Sequence, residues 1–292
     1  MILITGASGF VGRNLIRHLE PRSNVRCLVR HEVRGLEGCE LVVGDMTNAG
    51  SLVRATKNIS AVIHLAAAPG ASNYEENYRV HVKGAENLIR ACKANGVKRI
   101  IVVSSVATLA EHKSDYGVTK ALADELFLKS GLDVTILKPD FIYGTDGRGF
   151  LTLVNTIKKS IFVPIIGDGH YKRQPVHVDD VVAAIFKSLN ERAIGKTYIV
   201  ASRETISFNT MVDMIMKNLG IKKRKIHVPI LLALVAAKLM KLKKNPTLTR
   251  TVVLGMAQDR YADIDPLIKE LGVRPRSFER GLKEVMRELQ AG

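Results

Sequence analysis

The sequence lacks the residue patterns that are typical of disulfide-linked, zinc-binding and membrane-spanning proteins. It has no tryptophan, and its three cysteines, Cys27, Cys39 and Cys92, are widely spaced without a Cys-x-x-Cys pair. Such a set argues against a disulfide framework or a zinc site, and we expect no bound metal. Because the first apolar segment begins at Met1 and no apolar run is long enough to span a bilayer, we predict neither a signal peptide nor a transmembrane helix. The expected location is the cytoplasm.

Acidic residues are also scarce relative to basic ones. The 292 residues include 44 Lys and Arg but only 28 Asp and Glu, which gives a formal net charge of +16. A field of this sign favours anionic partners, which include nucleotides, phosphorylated substrates, nucleic acid and acidic membrane surfaces. A solvated lysine-rich surface explains most of these charges. Because no nucleic-acid motif is recognisable, we expect no nucleic-acid partner.

The first dozen residues carry the clearest pattern. Residues 1–5 form a short apolar run, typical of a buried parallel strand, and Gly6, Gly9 and Gly12 follow before an amphipathic helix. Gly6 would allow a sharp turn, Gly9 a close approach to a pyrophosphate, and Gly12 tight packing of the helix on the sheet. An ordinary strand-to-helix turn is the alternative. The position of the glycines favours a nucleotide site.

The end of the second predicted strand bears on the choice of nucleotide. Residues 25–29 are apolar enough to form this strand, and Arg30 and His31 follow it. A carboxylate at this point would accept from the 2′-hydroxyl of NAD, whereas an arginine suits the 2′-phosphate of NADP. Arg30 therefore favours NADP(H), with NAD as the alternative, unless it is only a surface arginine.

Strands and helices alternate through the first half. Further strands are predicted at residues 41–43, 61–68 and 99–103, with a long helical pattern at 74–95 between the last two. Strand, helix and strand in this rhythm predict an α/β fold, a doubly wound parallel sheet of the Rossmann type.

Polar residues with chemical potential follow the strand at 99–103. Ser104 and Ser105 come directly after it, at the sheet edge where ligands bind in such folds. Tyr116 and Lys120 open a helix and share one face, four residues apart. A nearby ammonium should lower the pKa of the tyrosine toward the working pH and make it a usable acid or base. A serine hydroxyl could orient the substrate oxygen.

Together these motifs resemble the extended short-chain dehydrogenase/reductases, also called the NAD-dependent epimerase/dehydratase family. The match covers nearly the whole chain and rests on five blocks in order. The strand at 25–30, the short Ser-to-Tyr segment and the C-terminal pattern look more like the atypical branch with the NADPH-binding 39-kDa-type subunit of respiratory complex I. The blocks are Gly6-x-x-Gly9-x-x-Gly12, Gly44-Asp45-Met46-Thr47, His64-Leu65-Ala66-Ala67, Tyr116-x-x-x-Lys120 and Lys138-Pro139-Asp140-Phe141-Ile142-Tyr143-Gly144.

The resemblance implies roles for individual residues. Asp45 would hold the adenine amino group, with Met46 on the ring face. Tyr116 would transfer the proton, and Lys120 would bind the nicotinamide ribose and lower the pKa of the tyrosine. The cofactor-binding residues implied in this way are Gly6, Gly9, Phe10, Val11, Gly12, Arg30, Asp45, Met46, Leu65, Ala66, Ala67, Tyr116, Lys120, Pro139 and Ile142.

Three departures from the family pattern affect the catalytic part. The segment between the serines and Tyr116 is short, which makes Ser105 the better candidate and leaves Ser104 and Thr108 as rivals. His81 replaces the usual asparagine, where it could hydrogen-bond equally well, contact the substrate, or mark a relaxed or lost proton relay. Lys138 replaces the arginine of Arg-Pro, which keeps the charge but loses the planar fork.

The second half has a looser pattern. We predict a dinucleotide-binding domain at 1–149 and a mainly substrate-binding region at 150–292, with one or more segments returning to the Rossmann sheet. Arg173 matches the arginine that grips a nucleotide-sugar diphosphate in the resembled family, and a guanidinium suits phosphate. An exposed and inert loop arginine is the alternative.

One basic stretch stands out in this half. Residues 217–250 contain ten Lys and Arg and no acidic residue, and they enclose an apolar run at 230–237. The run is too short to cross a bilayer, but it could lie on an anionic membrane surface or admit a lipid-linked substrate. We favour the alternative, a lid or core helix surrounded by solvated lysines. The resemblance also implies a homodimer packed through helices near 85–94 and 121–128.

The leading hypothesis is an NAD(P)-dependent oxidoreductase or epimerase. It would act on a hydroxyl or carbonyl of a nucleotide-sugar-like or other anionic small molecule, with hydride transfer, Tyr116 as acid or base and Ser105 orienting the oxygen. The alternative is a protein that binds NADPH without chemistry, as a structural or redox-sensing subunit of a membrane-associated complex. The short Ser-to-Tyr segment, His81 and the basic stretch support this alternative.

Overall fold

The computed structural model describes residues 1–68, 73–240, 250, 253–254, 258–259 and 261–291. Short 3₁₀ turns occur at Arg22–Asn24, Val106–Leu109 and Glu191–Ala193, with a π-helical turn at Arg79–Lys83. The strands are β1 (Ile2–Thr5), β2 (Val25–Val29), β3 (Glu40–Val43), β4 (Ala61–His64), β5 (Arg99–Val103), β6 (Asp133–Pro139), β7 (Ile142–Tyr143), β8 (Val163–Ile166), β9 (Lys172–Arg173), β10 (Val176–His177), β11 (Thr197–Val200), β12 (Ile206–Ser207) and β13 (Lys225–Val228). The helices are α1 (Phe10–Arg17), α2 (Ala49–Ala55), α3 (Tyr74–Tyr78), α4 (Gly84–Ala94), α5 (Asp115–Leu128), α6 (Arg148–Lys159), α7 (Val178–Lys187), α8 (Phe208–Asn218), α9 (Ile230–Met240), α10 (Asp265–Leu271) and α11 (Phe278–Ala291).

Seven strands form a parallel sheet in the order β11-β6-β5-β4-β1-β2-β3. The central strands are apolar and buried, and β4 is buried at every residue. Such strands are typical of sheets that helices cover on both faces. The prediction of a doubly wound α/β fold of the Rossmann type is confirmed.

The sheet has a point where the strand order reverses. The chain runs from β1 through β2 to β3 on one side, and then returns to place β4 on the other side of β1. In this register Thr5 is paired with His64, so the carboxyl ends of β1 and β4 lie side by side. In open α/β sheets the ligand crevice opens at this point.

Two apolar cores hold the helices on the sheet. On one face α1, α7 and α10 contribute Leu15, Val181 and Leu267, which are fully buried with the inward side chains of the strands. On the other face α4 and α5 contribute Leu88 and Phe127 to a second core. Because both faces are covered, the polar strand ends remain as the accessible part of the sheet.

A third core lies in the smaller part of the molecule. It joins α6, α8 and α11 through residues that include Phe150, Ile215 and Phe278. Segments beyond residue 150 also return to the large sheet, since β11 pairs with β6 and the helices α7 and α10 pack on one face. We keep the boundary near residue 150 as a proposed division of the sequence.

The predicted elements agree with the structure in part. The second and fifth strands have the predicted bounds, and residues 74–94 form one continuous helical stretch that contains the π-helical turn. The predicted strand at 61–68 ends at His64, because residues 65–68 leave the sheet and form the edge of the crevice. Strands β6 and β13 were not predicted.

The basic stretch at 217–250 forms β13 and α9, while residues 241–249 lie outside the described part. Across the described residues, no helix combines the length and the apolar character needed to cross a membrane.

Candidate active site

The glycine turn after β1 packs directly on the end of β4. Gly6 has a φ of +74°, and a Cβ placed on it would lie 2.7 Å from the backbone nitrogen of Ala66. A Cβ on Gly12 would lie 2.5 Å from the carbonyl oxygen of Gly6. Side chains are therefore excluded at both positions, and α1 begins against bare backbone. A cradle of this kind fits the pyrophosphate of a dinucleotide.

The first turn of α1 offers backbone N–H groups to that cradle. Gly9 is the N-cap residue, and no side chain caps the helix. The helix begins at Phe10, whose ring packs close to Gly144, since a Cβ on Gly144 would lie 2.9 Å from it. Val11 packs at the margin of the first core. Uncapped N–H groups at a helix start suit a phosphate.

The predicted adenosine end is polar and cationic. Thr47 donates to Asp45 Oδ1 from its backbone nitrogen (2.8 Å) and its hydroxyl (2.7 Å). Burial acts to raise the pKa of Asp45, but these bonds and the nearby Arg30 and Arg79 outweigh it and lower that pKa. Arg30 and Arg79 are exposed, and Met46 is buried. Two guanidinium groups therefore flank the predicted adenosine position.

The residues after β4 are small and half-buried. Leu65 donates from its backbone nitrogen to the carbonyl oxygen of Thr5 (3.0 Å), and Ala66 and Ala67 continue along the crevice. Side chains this small leave the backbone open to a flat ligand. The structure brings Leu65 and Ala66 to the glycine turn, and Ala67 follows them in the chain.

His81 holds the next residue of this segment in place. Its Nε2 accepts from the backbone nitrogen of Ala68 (3.2 Å), and its Nδ1 lies 2.9 Å from the hydroxyl of Thr119. Because Nε2 accepts the hydrogen bond from the Ala68 backbone N–H, it must be unprotonated, and the ring proton is therefore on Nδ1. Burial, followed by the charge of Lys120, lowers the pKa of His81 to about 3. Contrary to the expected substrate contact, both nitrogens of this neutral, buried ring are used within the protein.

Tyr116 and Lys120 lie at the head of α5, as the spacing predicts. Ser114 caps this helix by accepting from the backbone nitrogen of Gly117 (3.1 Å). A Cβ on Gly117 would lie 2.5 Å from the carbonyl oxygen of Ala107, so the helix start packs closely on the 106–109 turn. The Tyr116 ring meets the His81 ring edge-to-face, with centroids 5.2 Å apart.

We predicted that Lys120 would lower the pKa of Tyr116, and in this structure that prediction is wrong. Burial, together with the charge of Asp124, raises the pKa of Tyr116 to about 12. Lys120 is buried, and its Nζ donates to the carbonyl oxygen of Val103 (3.0 Å), while burial lowers the pKa of this ammonium. Desolvation therefore dominates over the attraction that the helical spacing suggested. The phenol is protonated at neutral pH.

The three candidate hydroxyls differ in their availability. Ser104 is buried and donates to Asp124 Oδ2 (2.8 Å). Thr108 is also buried; it donates to the carbonyl oxygen of Ser105 and accepts from Lys138 Nζ (2.9 Å). Ser105 is half-buried, and its hydroxyl accepts from the backbone nitrogen of Ala107 (3.1 Å). Of the three, Ser105 is the one with exposed surface.

A buried ion pair supports this edge of the sheet. Lys138 Nζ lies 3.0 Å from Asp124 Oδ2, and both side chains are nearly buried. The lysine that replaces the family's arginine thus bridges β6, α5 and the 106–109 turn. The sequence analysis did not identify Asp124 as part of the site, although Asp124 follows Lys120 at the same four-residue spacing that separates Tyr116 and Lys120.

A pocket opens next to the 106–109 turn, which contributes Val106 and Leu109 to its wall. It is lined by apolar side chains, among which Leu109 and Tyr261 are the largest, and by Asp140, Gln174 and Asp259. The backbone nitrogen of Gln174 donates to Asp140 Oδ2 (2.8 Å). Lys172 Nζ lies 5.3 Å from the centroid of the Tyr261 ring, outside the apolar wall.

Two further predicted residues, Pro139 and Ile142, flank Asp140 in the chain. Pro139 ends β6 and is buried, whereas Ile142 begins β7 and is half-buried. Both lie at the carboxyl edge of the sheet, where a nicotinamide was expected.

Arg173 differs from the expectation of a diphosphate grip. It is buried, and its Nη1 donates to the carbonyl oxygens of Lys172 (2.8 Å) and Gln258 (2.5 Å). The guanidinium also lies over the Tyr171 ring, 4.7 Å from its centroid. Within the described residues, the wall of the pocket does not include Arg173.

Comparison with protein families gives one match to most of the chain. The model described as the NAD dependent epimerase/dehydratase family matches residues 2–201. These residues contain the glycine turn, the end of β4, Ser105, Tyr116 and Lys120.

Individual relatives are distant but extensive. The 2-alkyl-3-oxoalkanoate reductase of Stenotrophomonas maltophilia is 24% identical over 322 residues, which cover 97% of this chain and 98% of that protein. The UDP-glucose 4-epimerase of Vibrio cholerae is 29% identical over 240 residues, 72% of this chain and 73% of that protein. Among solved structures, MoeE5 in complex with UDP-glucuronic acid and NAD has a TM-score of 0.79 at 25% identity, covering 99% of both chains.

Proposed function

The chain belongs to the NAD dependent epimerase/dehydratase family, and we propose that it is an oxidoreductase of that family with Tyr116 as the proton donor. The main support for this proposal is the arrangement at the start of α5, where Tyr116 and Lys120 follow the turn after Ser105 at the carboxyl edge of the sheet. When bound, a nicotinamide would supply or accept the hydride. Epimerisation is the second possibility, because it uses the same proton transfer.

The protonation of Tyr116 favours reduction. Since burial raises its pKa to about 12, the phenol carries its proton at neutral pH and can donate it to a substrate carbonyl oxygen. Ser105 would donate to the same oxygen and orient it. Lys120, whose ammonium is fixed on the carbonyl oxygen of Val103, would place a positive charge beside the phenolate that forms.

The glycine cradle and the guanidinium groups support NADP(H) as the cofactor. Gly6 and Gly12 leave room for the pyrophosphate, and Arg30, at the end of β2, would bind the 2′-phosphate together with Arg79. NAD remains the alternative, since MoeE5 is bound to NAD.

The cofactor proposal predicts a selective effect of Arg30. In Arg30→Ala the Kd for NADPH should rise about 10- to 100-fold, the value of a lost charged hydrogen bond, while the Kd for NADH should not change. Fluorescence titration with both cofactors measures this. Arg34→Ala, at an exposed arginine a few residues along, is the matched control. Equal affinity of the unmodified protein for NADH and NADPH would contradict the proposal.

The pocket supports a substrate with an apolar body. Its wall contains Val106, Leu109 and Tyr261, which would pack against such a body. An anionic substituent, expected from the net charge, would meet Lys172 at the rim. An oxo acid fits both features. The nucleotide-sugar is the second candidate, and the UDP-glucose 4-epimerase relative favours it.

The catalytic proposal is tested by Tyr116→Phe. Nicotinamide oxidation is measured with a panel of 3-oxo acids, cyclic ketones and UDP-sugars. With the substrate that turns over, kcat should fall about 10²- to 10⁴-fold, because the proton donor is lost, and the Kd of the cofactor should remain unchanged. Tyr74→Phe, at an exposed tyrosine, is the control. An unchanged kcat would remove Tyr116 from the mechanism, and a tightly bound cofactor that no carbonyl compound oxidises would favour the non-catalytic subunit.

A further inference from the structure

Helix α9 exposes an apolar face. Leu231 is 73% exposed and Leu239 is 68% exposed, and Val235 lies between them at the same four-residue spacing. The opposite face packs inward, where Ala233 and Ala237 are buried. The helix is therefore apolar on both sides, whereas the outer face of a surface helix in a water-soluble domain is normally polar. The expectation of a lid or core helix does not account for this outer face.

The neighbouring strands extend the apolar area. In the β8–β13 ribbon, Ile166 and Val228 pack against the inner face of α9, so the helix lies on one face of the ribbon. Ile226 precedes Val228 by two residues and is exposed on that face. Phe162 precedes β8 and is also exposed, and it lines the same pocket as Ile226.

We name these exposed side chains the α9 surface. It consists of Phe162, Ile226, Leu231, Leu232, Val235 and Leu239.

The charged side chains of the 217–240 segment, which carries most of the α9 surface, have one sign. Residues 217–240 contain six Lys and Arg and no Asp or Glu. Lys225 is paired with Asp213, and Lys223 donates to carbonyl oxygens of the 157–160 segment. Lys222, Arg224 and Lys238 are exposed. An apolar area is thus bordered by cations, in a chain whose net charge is +16.

We propose that the α9 surface docks the protein on an anionic lipid bilayer. The leucine side chains would enter the boundary between headgroups and acyl chains, with α9 parallel to the membrane, and Lys222, Arg224 and Lys238 would meet the lipid phosphates. A second copy of the chain fits less well, because a two-fold interface would bring these cations toward one another. The proposal does not depend on the proposed function.

The test uses the full chain and sedimentation with vesicles. Phosphatidylcholine vesicles are compared with an equal mixture of phosphatidylcholine and phosphatidylglycerol. We expect binding to the anionic vesicles, and we expect Leu231→Ser with Leu239→Ser to lower the partition coefficient about tenfold or more, as the loss of two buried leucines implies. Leu41→Ser with Val53→Ser, at exposed apolar residues elsewhere, should bind like the unmodified protein. Cofactor affinity and circular dichroism verify that each variant is folded.

Each other outcome overturns the proposal. Absence of binding, or equal binding to both vesicle types, excludes docking on anionic lipid. Binding that salt abolishes and the serine variant retains would be adsorption by net charge alone. If the unmodified protein forms a dimer by light scattering and the serine variant is a monomer without lipid, the α9 surface is an interface between copies.

Discussion

At the scale of single residues, burial decides which groups at the strand ends can exchange protons. His64 and His81 are buried, and burial lowers the pKa of each to about 3. Tyr116 is shifted in the other direction, to about 12. In each case the uncharged form is stabilised, as expected for groups removed from water. The sequence showed the spacing of these residues but not their desolvation.

The shifted histidine predicts a dependence of stability on pH. Because the folded pKa of His81 lies below its value in the unfolded chain, the unfolded state binds more protons between about pH 6.5 and 3. The contribution of His81 to the free energy of unfolding should therefore be fully present above pH 6.5 and decrease as the pH falls toward 3. His81 contributes up to about 1.4 kcal/mol per pH unit to this slope. Urea unfolding of His81→Asn at several pH values should show a shallower slope.

The matched control for this prediction is His31→Asn, at an exposed histidine. It changes the same residue type without opening the buried contact with Ala68 and Thr119. If His81→Asn and the unmodified protein lose stability equally on acidification, His81 is not neutral in the folded protein.

At the scale of elements, close backbone contacts determine where α1 and α5 lie. Gly12 allows α1 to pack on the turn after β1, and Gly117 allows α5 to pack on the turn after Ser105. These two contacts bring the cradle and the Tyr116 helix to the same sheet edge.

The contact at Gly12 predicts a large effect of one methyl group. A Cβ there would lie 2.5 Å from the carbonyl oxygen of Gly6, so Gly12→Ala must displace backbone and should cost about 1–3 kcal/mol or more in the free energy of unfolding. The Kd of the cofactor should rise as well. Gly50→Ala is the control, since Gly50 lies in α2 with its nearest contact at 3.5 Å, and helix propensity should stabilise it by up to about 1 kcal/mol. Equal stability changes in chemical denaturation would contradict the packing argument.

The sequence predicted those elements whose signals are local. The apolar strand before Gly6 and the strand at residues 25–29 follow from neighbouring residues, and both are confirmed. Strand β6 was missed, because the polar Thr135 and Lys138 interrupt its apolar pattern. Their partners, the carbonyl oxygen of Ala193 and the carboxylate of Asp124, lie outside the strand in other elements. Local periodicity does not contain such contacts.

The same limit applies to the candidate site. The Tyr116 and Lys120 spacing was visible, whereas the choice of Ser105 over Ser104 depends on the contact of Ser104 with Asp124. The inward orientation of Arg173 depends on the carbonyl oxygen of Gln258, 85 residues away.

At the scale of the whole molecule, Arg276 connects the smaller part to the sheet. Its guanidinium binds Asp180 of α7 through Nε and Nη2 and Glu284 of α11 through Nη1. Burial acts to lower the pKa of Arg276, but the two carboxylates outweigh it and raise that pKa. Asp180 is buried, so it depends on this partner.

Arg276 and Arg280 form a matched pair for mutation, because both bind Glu284. The Arg276 side chain is 20% exposed and that of Arg280 is 74% exposed. Arg276→Ala should lower the free energy of unfolding by about 3–5 kcal/mol, since it leaves a buried carboxylate unpaired. Arg280→Ala should change it by at most about 1 kcal/mol. Thermal unfolding measures both; similar losses would mean that Arg276 is not a structural link.

The position of β11 at one edge of the sheet has a consequence for biosynthesis. During translation β6 emerges nearly sixty residues before β11, the strand that pairs with its outer side. One edge of β6 therefore stays unpaired while the ribosome synthesises α6 through α7. Unpaired edges invite association with other nascent chains. A truncated product that stops near residue 149 would keep that edge permanently and would also lack the α7 and α10 side of the first core. Aggregation is therefore the expected fate of such a fragment, even though it contains every glycine of the cradle.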